Sequence, residues 1–363
     1  MCPFLPTELW EHIFNSLIFH ERKTLYTLLY VSHRLHDIVK PIFYETVIIR
    51  TSESSPELAT LYRCIGISQD SETQPSAPSI RHIVFHVGPE YSETMRGKWA
   101  YLFHIIMGLR VCLESVMIYG DPAPSMIRHF LQSADSLKHF GWIYDSIPRL
   151  VRYEIGSAML QHSQLERLEM HTNFNRLSPS PTDVPNLRYL SASLRNILYT
   201  LPGRSITHLQ TSFFDGGENL IPRAFPDNHS VKSLSCYSQD LRTLRAFTGH
   251  LRNLECLELH RARNVTDWWQ YYEPPSNPFR FIRFAREMSG RGYGCARTLF
   301  ELIPSLEAVE VHRHHPKDPA PSTYSLRWYR GKTNPVKVEW DCFLGEEWWH
   351  DWERDVQISP ISM

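Results

Sequence analysis

The residues of this chain best equipped for chemistry are histidines, cysteines and clustered glycines, and none of them stands at a catalytic spacing. His312 to His315 (HRHH) put His312 and His314 on one face of a strand, the start of a metal site. No cysteine or carboxylate follows at the spacing a zinc centre needs. Gly290, Gly292 and Gly294 (SGRGYGCA) follow a helical pattern and lack the last spaced glycine of a dinucleotide loop. The seven cysteines (Cys2, Cys64, Cys112, Cys236, Cys256, Cys295 and Cys342) are scattered, odd in number and free of any CxxC. They read as reduced thiols, mostly buried, in a cytosolic or nuclear protein. No GxSxG, HExxH or Walker stretch occurs. The expectation is a non-enzymatic chain with no cofactor and no metal, whose chemistry is that of contact.

Contact surfaces need a scaffold, and the sequence carries one. Nine segments place apolar residues at positions 1, 4 and 6, beginning at Ile80, Leu113, Leu137, Leu165, Leu187, Ile206, Val231, Leu254 and Leu306. Of these 27 positions only Thr211 is not apolar. The starts from 113 to 254 are 24, 28, 22, 19, 25 and 23 residues apart, the period of one strand plus a return helix. The spacing predicts an α/β solenoid of leucine-rich repeats. Asn at position 9 occurs only as Asn173, so the array is expected to be irregular, without an Asn ladder.

Strand alternation then separates the faces: with positions 4 and 6 inward, positions 3, 5 and 7 point outward. That outward strip is rich in Tyr and His, which give contact area and polar tips at low entropy cost. For any one residue, a solvated sheet face is explanation enough. Taken together, the residues offered to a protein target are Tyr119, Arg167, Glu169, His171, Tyr237, Glu258, His260 and His312. As solvent-facing residues, Glu169 and Glu258 are expected to tolerate Ala. Segments such as SMIRHFLQSAD and LRTLRAFTGHL carry the three-and-four spacing of return helices. Between Leu259 and Leu306, FIRFAREM and ARTLFELI read as helices, and the aromatic cluster Trp268, Trp269, Tyr271 and Tyr272 as a plug over the core. Beyond Pro321, YSLRWYRG and VKVEW read as strands, and GEEWWHDWERDV as a helix that caps the last repeat.

A net charge of -1 and a pI near 7.0 give no electrostatic case for nucleic acid or an anionic membrane as partner. No segment approaches the roughly 20 apolar residues of a membrane helix. Pro3, Pro6, Glu8 and Glu11 stand where a signal peptide needs basic residues and an apolar run, so no secretion is expected.

Ahead of the repeats, Leu5 to Val47 form a helical block whose breaks suggest three helices. Pro6, Thr7 and Glu8 suit a first turn, and Leu9, Ile13 and Leu17 run beside Trp10, Phe14 and Ile18 as two adjoining stripes. HERKTL restarts a helix with Leu25, Leu28, Leu29 and Val31; after Ser32 and His33 comes RLHDIVKPIFYETV, ended or kinked by Pro41. Two stripes on one short helix exceed what a block of this size covers alone. The second either packs on the following solenoid or docks a partner protein.

At these residues the chain resembles an F-box protein with irregular leucine-rich repeats, of the kind found in fungi. The matching residues are Leu5, Pro6, Glu8, Leu9, Ile13, Leu17, Val31 and Ser32. The usual Asp-Leu before the second helix is replaced by the stretch from Glu21 to Leu25, and the common Trp three residues after Ser32 is Leu35. The resemblance implies that these residues, with Leu28, bind a Skp-family adaptor and through it a cullin, while the solenoid selects a target. The expected function is a substrate receptor of an SCF-type ubiquitin ligase; the rival is a scaffold or assembly factor using the same surfaces outside ubiquitination. The expected organisation is a three-helix F-box at 1–50, a linker at 51–78, a leucine-rich-repeat horseshoe at 79–316 and a strand and helix cap at 317–363.

Overall fold

The protein is described by a computed structural model, which places residues 10, 22–50, 81–87, 113–120, 131, 136–143, 162–170, 184–193, 196–197, 200–201, 203–212, 230–237, 249–260, 279–284, 292–313, 324–332 and 334–339. Among them, two helices, α1 (Arg22–Leu28) and α2 (His33–Glu45), precede a single sheet of thirteen strands laid down in sequence order. The strands are β1 (Thr46–Arg50), β2 (His82–His86), β3 (Ser115–Tyr119), β4 (His139–Ile143), β5 (Arg167–Met170), β6 (Tyr189–Ala192) and β7 (His208–Ser212). They continue as β8 (Ser233–Tyr237), β9 (Cys256–Leu259), β10 (Phe281–Phe284), β11 (Ala308–Arg313), β12 (Tyr324–Tyr329) and β13 (Val336–Glu339). Strands β1 to β11 pair in parallel, and β12 and β13 close the sheet antiparallel. The molecule is a solenoid. Helix α3 (Gly292–Leu302) lies between β10 and β11 and buries Ala296 and Leu299.

The repeat register governs the core. Every described residue at position 1, 4 or 6 of the nine segments is buried, Thr211 included. Neighbouring strands align position to position, as in Ile83 with Val116 and Leu168 with Leu190, so each apolar position becomes a continuous column. Two further stretches fall into the same register. Glu45 and β1 align with Arg81 and β2, which makes Tyr44, Val47 and Ile49 a repeat inside the stretch expected to be helical. FIRF is strand β10, not helix: Phe279, Ile282 and Phe284 occupy positions 1, 4 and 6 and are buried.

Ahead of each strand the chain turns in the same way. The carbonyl at position 2 accepts the next two N–H groups of the following repeat, as when Glu114 O takes the amides of Lys138 and His139, both at 2.9 Å. Serines just before position 1 reach the preceding repeat: Ser136, Ser230 and Ser305 donate to Leu113 O, Ile206 O and Phe279 O at 3.0, 2.8 and 2.8 Å. These bonds satisfy buried backbone groups, a task performed elsewhere by an Asn ladder. Gly120 ends β3 at φ +101, where a Cβ would stand 2.4 Å from Val87 O, so only glycine fits this turn.

The helical block has its own small core of Leu25, Leu29, Val39 and Ile42, with Trp10, Leu28, Leu35 and Ile38 against it. Ser32 caps α2: its Oγ accepts the Leu35 amide at 3.2 Å. Pro41 does not end α2, which continues to Glu45 and passes directly into β1. Apart from Trp10, the expected first helix lies outside the described residues. So do residues 51–78, the return segments of the middle repeats except Leu131, Asn196, Ile197, Thr200, Gly249 and His250, the Trp268 cluster, and the expected C-terminal helix.

Candidate functional site

The outward face of the sheet carries positions 3, 5 and 7, and its two ends differ. Toward β2 and β3 it is half-buried and aromatic. His86 and Tyr119 stack at 4.8 Å with planes 9° apart, beside Val84 and Met117. His139, two strands beyond His82 in the position 3 column with Ser115 between them, is held down at about 4, first by burial and then by the charges of Arg167, His82 and Lys138. It is therefore a neutral imidazole at neutral pH.

From β5 onward the face is largely buried: position 3 gathers Tyr189, Phe281 and Ala308 into an apolar cluster, and position 5 carries buried charges on β5 and from β9 onward. Glu169 is 1 % exposed and is bound at 2.6 Å by Arg167, whose guanidinium lies 4.3 Å over the Tyr189 ring. Tyr189 in turn donates its hydroxyl to Gln210 Oε1. Farther along, position 5 becomes a row of alternating charge: Glu258 on β9, Arg283 on β10, Glu310 on β11 and Arg327 opposite on β12, all between 0 and 4 % exposed. Arg283 Nε lies 3.4 Å from Glu258 Oε1 and 3.5 Å from Glu310 Oε1, and Arg327 holds Glu310 Oε2 at 2.8 Å. Such a row is tolerable in a dry setting only because each charge has an opposite neighbour.

Glu258 is also the acid of a Ser, Glu and His cluster. Ser235 Oγ donates to Glu258 Oε2 at 2.7 Å and lies 2.9 Å from His260 Nε2, which is 3.3 Å from the same carboxylate oxygen. This is not a nucleophile relay. In a relay the imidazole stands between hydroxyl and acid and uses both ring nitrogens. Here serine and glutamate meet one nitrogen, and the hydroxyl proton points at the carboxylate. Burial raises the Glu258 carboxyl, but the charge of Arg283 and hydrogen bonds from His260 and Ser235 outweigh it and leave it at about 2. A carboxylate so well satisfied is a poor base. Burial, followed by the charge of Glu258, pushes the Cys236 thiol far above its usual range, which makes it a core residue without nucleophilic character.

The expected target residues therefore divide. Tyr119, Arg167 and His260 are partly accessible on the expected face, whereas Glu169 and Glu258 lie on that face but are buried ion-pair partners. The expectation that these two glutamates face solvent is thus corrected. Alternation fixes which side a residue takes, and burial depends on whether that side is covered. His171 and the side chains of Tyr237 and His312 lie outside the described residues. Ser235, Arg283, Glu310 and Arg327 complete the buried row, and partners about one repeat apart are visible only once the register is known.

Of the expected adaptor residues, Leu28 is half-buried, Val31 and Ser32 are exposed, and Leu5, Pro6, Glu8, Leu9, Ile13 and Leu17 lie outside the described residues. Beside Val31, which is 60 % exposed, Tyr26 and Tyr30 are 50 and 74 % exposed and meet edge to face at 5.2 Å. Of the glycine stretch, Gly292 and Gly294 belong to α3, and residues 285–291, which join it to β10, lie outside the described residues. The missing third glycine, with Cys295 at its place, still sets it apart from a dinucleotide loop. Among the described residues no group of three or more His, Cys, Asp or Glu side chains is arranged to hold a metal ion, and no helix is long and apolar enough to cross a membrane. No protein-family model matches the chain, and no curated protein does.

Proposed function

We propose that this chain is the substrate-recognition subunit of an SCF-type cullin ubiquitin ligase, an F-box joined to a leucine-rich-repeat solenoid. The observation that carries the reading is the coupling of an exposed aromatic helical end to a long sheet. Tyr26, Tyr30 and Val31 remain outside while Leu25, Leu29, Val39 and Ile42 close the helical core. Helix α2 then runs into β1 without a linker, and Glu45 and Arg81 pair at 3.6 Å across the first two repeats. In this reading the helical end docks a Skp-family adaptor through Leu5, Pro6, Glu8, Leu9, Ile13, Leu17, Leu28, Val31 and Ser32, as the resemblance implies. The accessible outward face, with Tyr119, Arg167 and His260, selects the target. The chain performs no bond chemistry. It raises the effective concentration of the target near a ubiquitin-charged enzyme, which is catalysis by proximity.

The test is affinity purification of the full chain from cells, with immunoblots for adaptor and cullin. Both should copurify, and Leu5→Ala with Pro6→Ala should remove both while circular dichroism stays unchanged. Adaptor without cullin would favour a scaffold outside ubiquitination. Unchanged adaptor recovery with the folded double variant would overturn the F-box assignment.

A further inference from the structure

The position 2 residues form a second ladder, half-buried to exposed, along the edge where the strands begin. Across twelve successive strand places it reads Glu45, Arg81, Glu114, Lys138, Glu166, Arg188, Thr207, Lys232, Glu255, Arg280, Glu307 and Arg330. The charges alternate without exception except at Thr207, where the pattern calls for an acid. Several neighbours pair across the repeats: Arg81 with Glu45 and Glu114 at 3.6 and 3.9 Å, Lys138 with Glu114 at 3.1 Å, and Arg280 with Glu255 and Glu307 at 3.5 and 2.7 Å.

At the break, two cations flank a neutral residue. Arg188 is exposed and, among the described residues, no ion pair reaches it. Lys232 is 63 % exposed and, among the described residues, its ion pair is with Glu255, at 3.7 Å, on its far side. One residue away on its own strand, His208 Nδ1 lies 2.9 Å from the Thr207 hydroxyl, which is also 3.3 Å from Arg188 O. Strands about 4.8 Å apart put Arg188 and Lys232 roughly 10 Å from each other, with Thr207 midway. A carboxylate resting there would have a cation on either side. The ladder itself counts five acids and six bases, so one negative charge completes it.

We infer that the Arg188, Thr207 and Lys232 edge is a docking point for an acidic polypeptide segment, which lends a carboxylate to the vacant place in the ladder. The site lies at the edge and not on the outward face, and the inference holds whether or not the chain serves a ubiquitin ligase. Charge complementarity selects the ligand. The same edge repels acidic chains wherever its own carboxylates stand, so a single register is preferred.

The test uses a fluorescein-labelled hexaglutamate peptide and the full chain, read by fluorescence anisotropy at low ionic strength. Because one or two exposed ion pairs are at stake, Thr207→Glu, Arg188→Gln and Lys232→Gln should each weaken binding by about three- to tenfold. Gln164→Glu makes the same charge change at another exposed place on that edge and should alter binding by less than about twofold. Thr207→Glu should also melt no lower than the parent chain, since it completes the ladder, which separates loss of binding from loss of fold. Free glutarate at matched carboxylate concentration should compete poorly if a polypeptide segment is the ligand. Equal binding by Thr207→Glu and parent, an equal loss with Gln164→Glu, full competition by glutarate, or equally tight binding of a labelled oligothymidylate would each overturn the inference.

Discussion

Replacing Arg283 by Met tests the buried charge row most directly. Arg283 is fully buried between Glu258 and Glu310, and methionine fills much of its volume while removing the cation. Glu310 keeps Arg327, and Glu258 keeps Ser235 and His260, so the loss belongs at the lower end of what an orphaned buried charge costs, about 3 kcal/mol. The shift of the carboxyl is of the same order, with burial, Arg283, His260 and Ser235 all contributing to it. The Glu258 carboxyl moves from an ordinary 4.5 to about 2 in the fold, and that shift corresponds to about 3 kcal/mol. The sign follows from the depressed value: this stability is present above about pH 4.5 and is lost as pH falls toward about 2. Without Arg283, burial acts on Glu258 with less opposition and raises its carboxyl. The gap between parent and Arg283→Met should therefore be widest near neutral pH and should narrow toward pH 3. Urea unfolding followed by tryptophan fluorescence reads it, since Trp328 is buried on β12 beside Arg327. Adding Glu258→Gln should recover part of the loss. A variant within about 0.5 kcal/mol of the parent at neutral pH, or a gap that does not change with pH, would refute the reasoning.

Two further outcomes follow from burial and backbone geometry. Leu168→Ala and Leu257→Ala should each cost about 2 to 5 kcal/mol in the same unfolding assay. Glu169→Ala should cost a comparable amount, because it leaves Arg167 without its close partner; a loss below about 0.5 kcal/mol would show Glu169 to be the solvated residue that alternation alone suggests. Gly120→Ala should lower stability by about 2 kcal/mol or more, since the new Cβ meets Val87 O at a positive φ. An unchanged melting temperature would remove the steric argument.

The columns of the solenoid were legible because a strand repeats every two residues and burial punishes any slip. Leu168, Leu190 and Leu209 had to be apolar whatever their neighbours were. Other elements left a weaker trace. Tyr44, Val47 and Ile49 follow a helix without a break, and Tyr at position 1 is a poor marker of a core column. FIRFAREM places Phe281, Ile282, Phe284 and Ala285 where a helix would also put them, and a run that short is ambiguous by periodicity. The return helix before β11 was readable because ARTLFELI is long enough to show its period. At the candidate site, alternation placed Tyr119, Arg167 and His260 on the outward face. It could not tell that Glu169 and Glu258 on that face would be dry.

The two charge ladders have different physical consequences although both alternate. At position 5 the charges are buried, so each cation removed strands an acid, and the row admits no residue of the wrong sign. At position 2 they are half-buried to exposed, each pair contributes little, and a neutral residue such as Thr207 can persist without loss of fold. Parallel strands of similar apolar pattern could otherwise slide into one another's places. Slipping by one strand would bring Glu against Glu at both positions, so the ladders add a penalty to misregister that the leucine columns alone do not supply. A break is therefore admissible only in the exposed ladder. There it leaves Arg188 and Lys232 oriented toward solvent, with a place between them that a carboxylate from outside can fill.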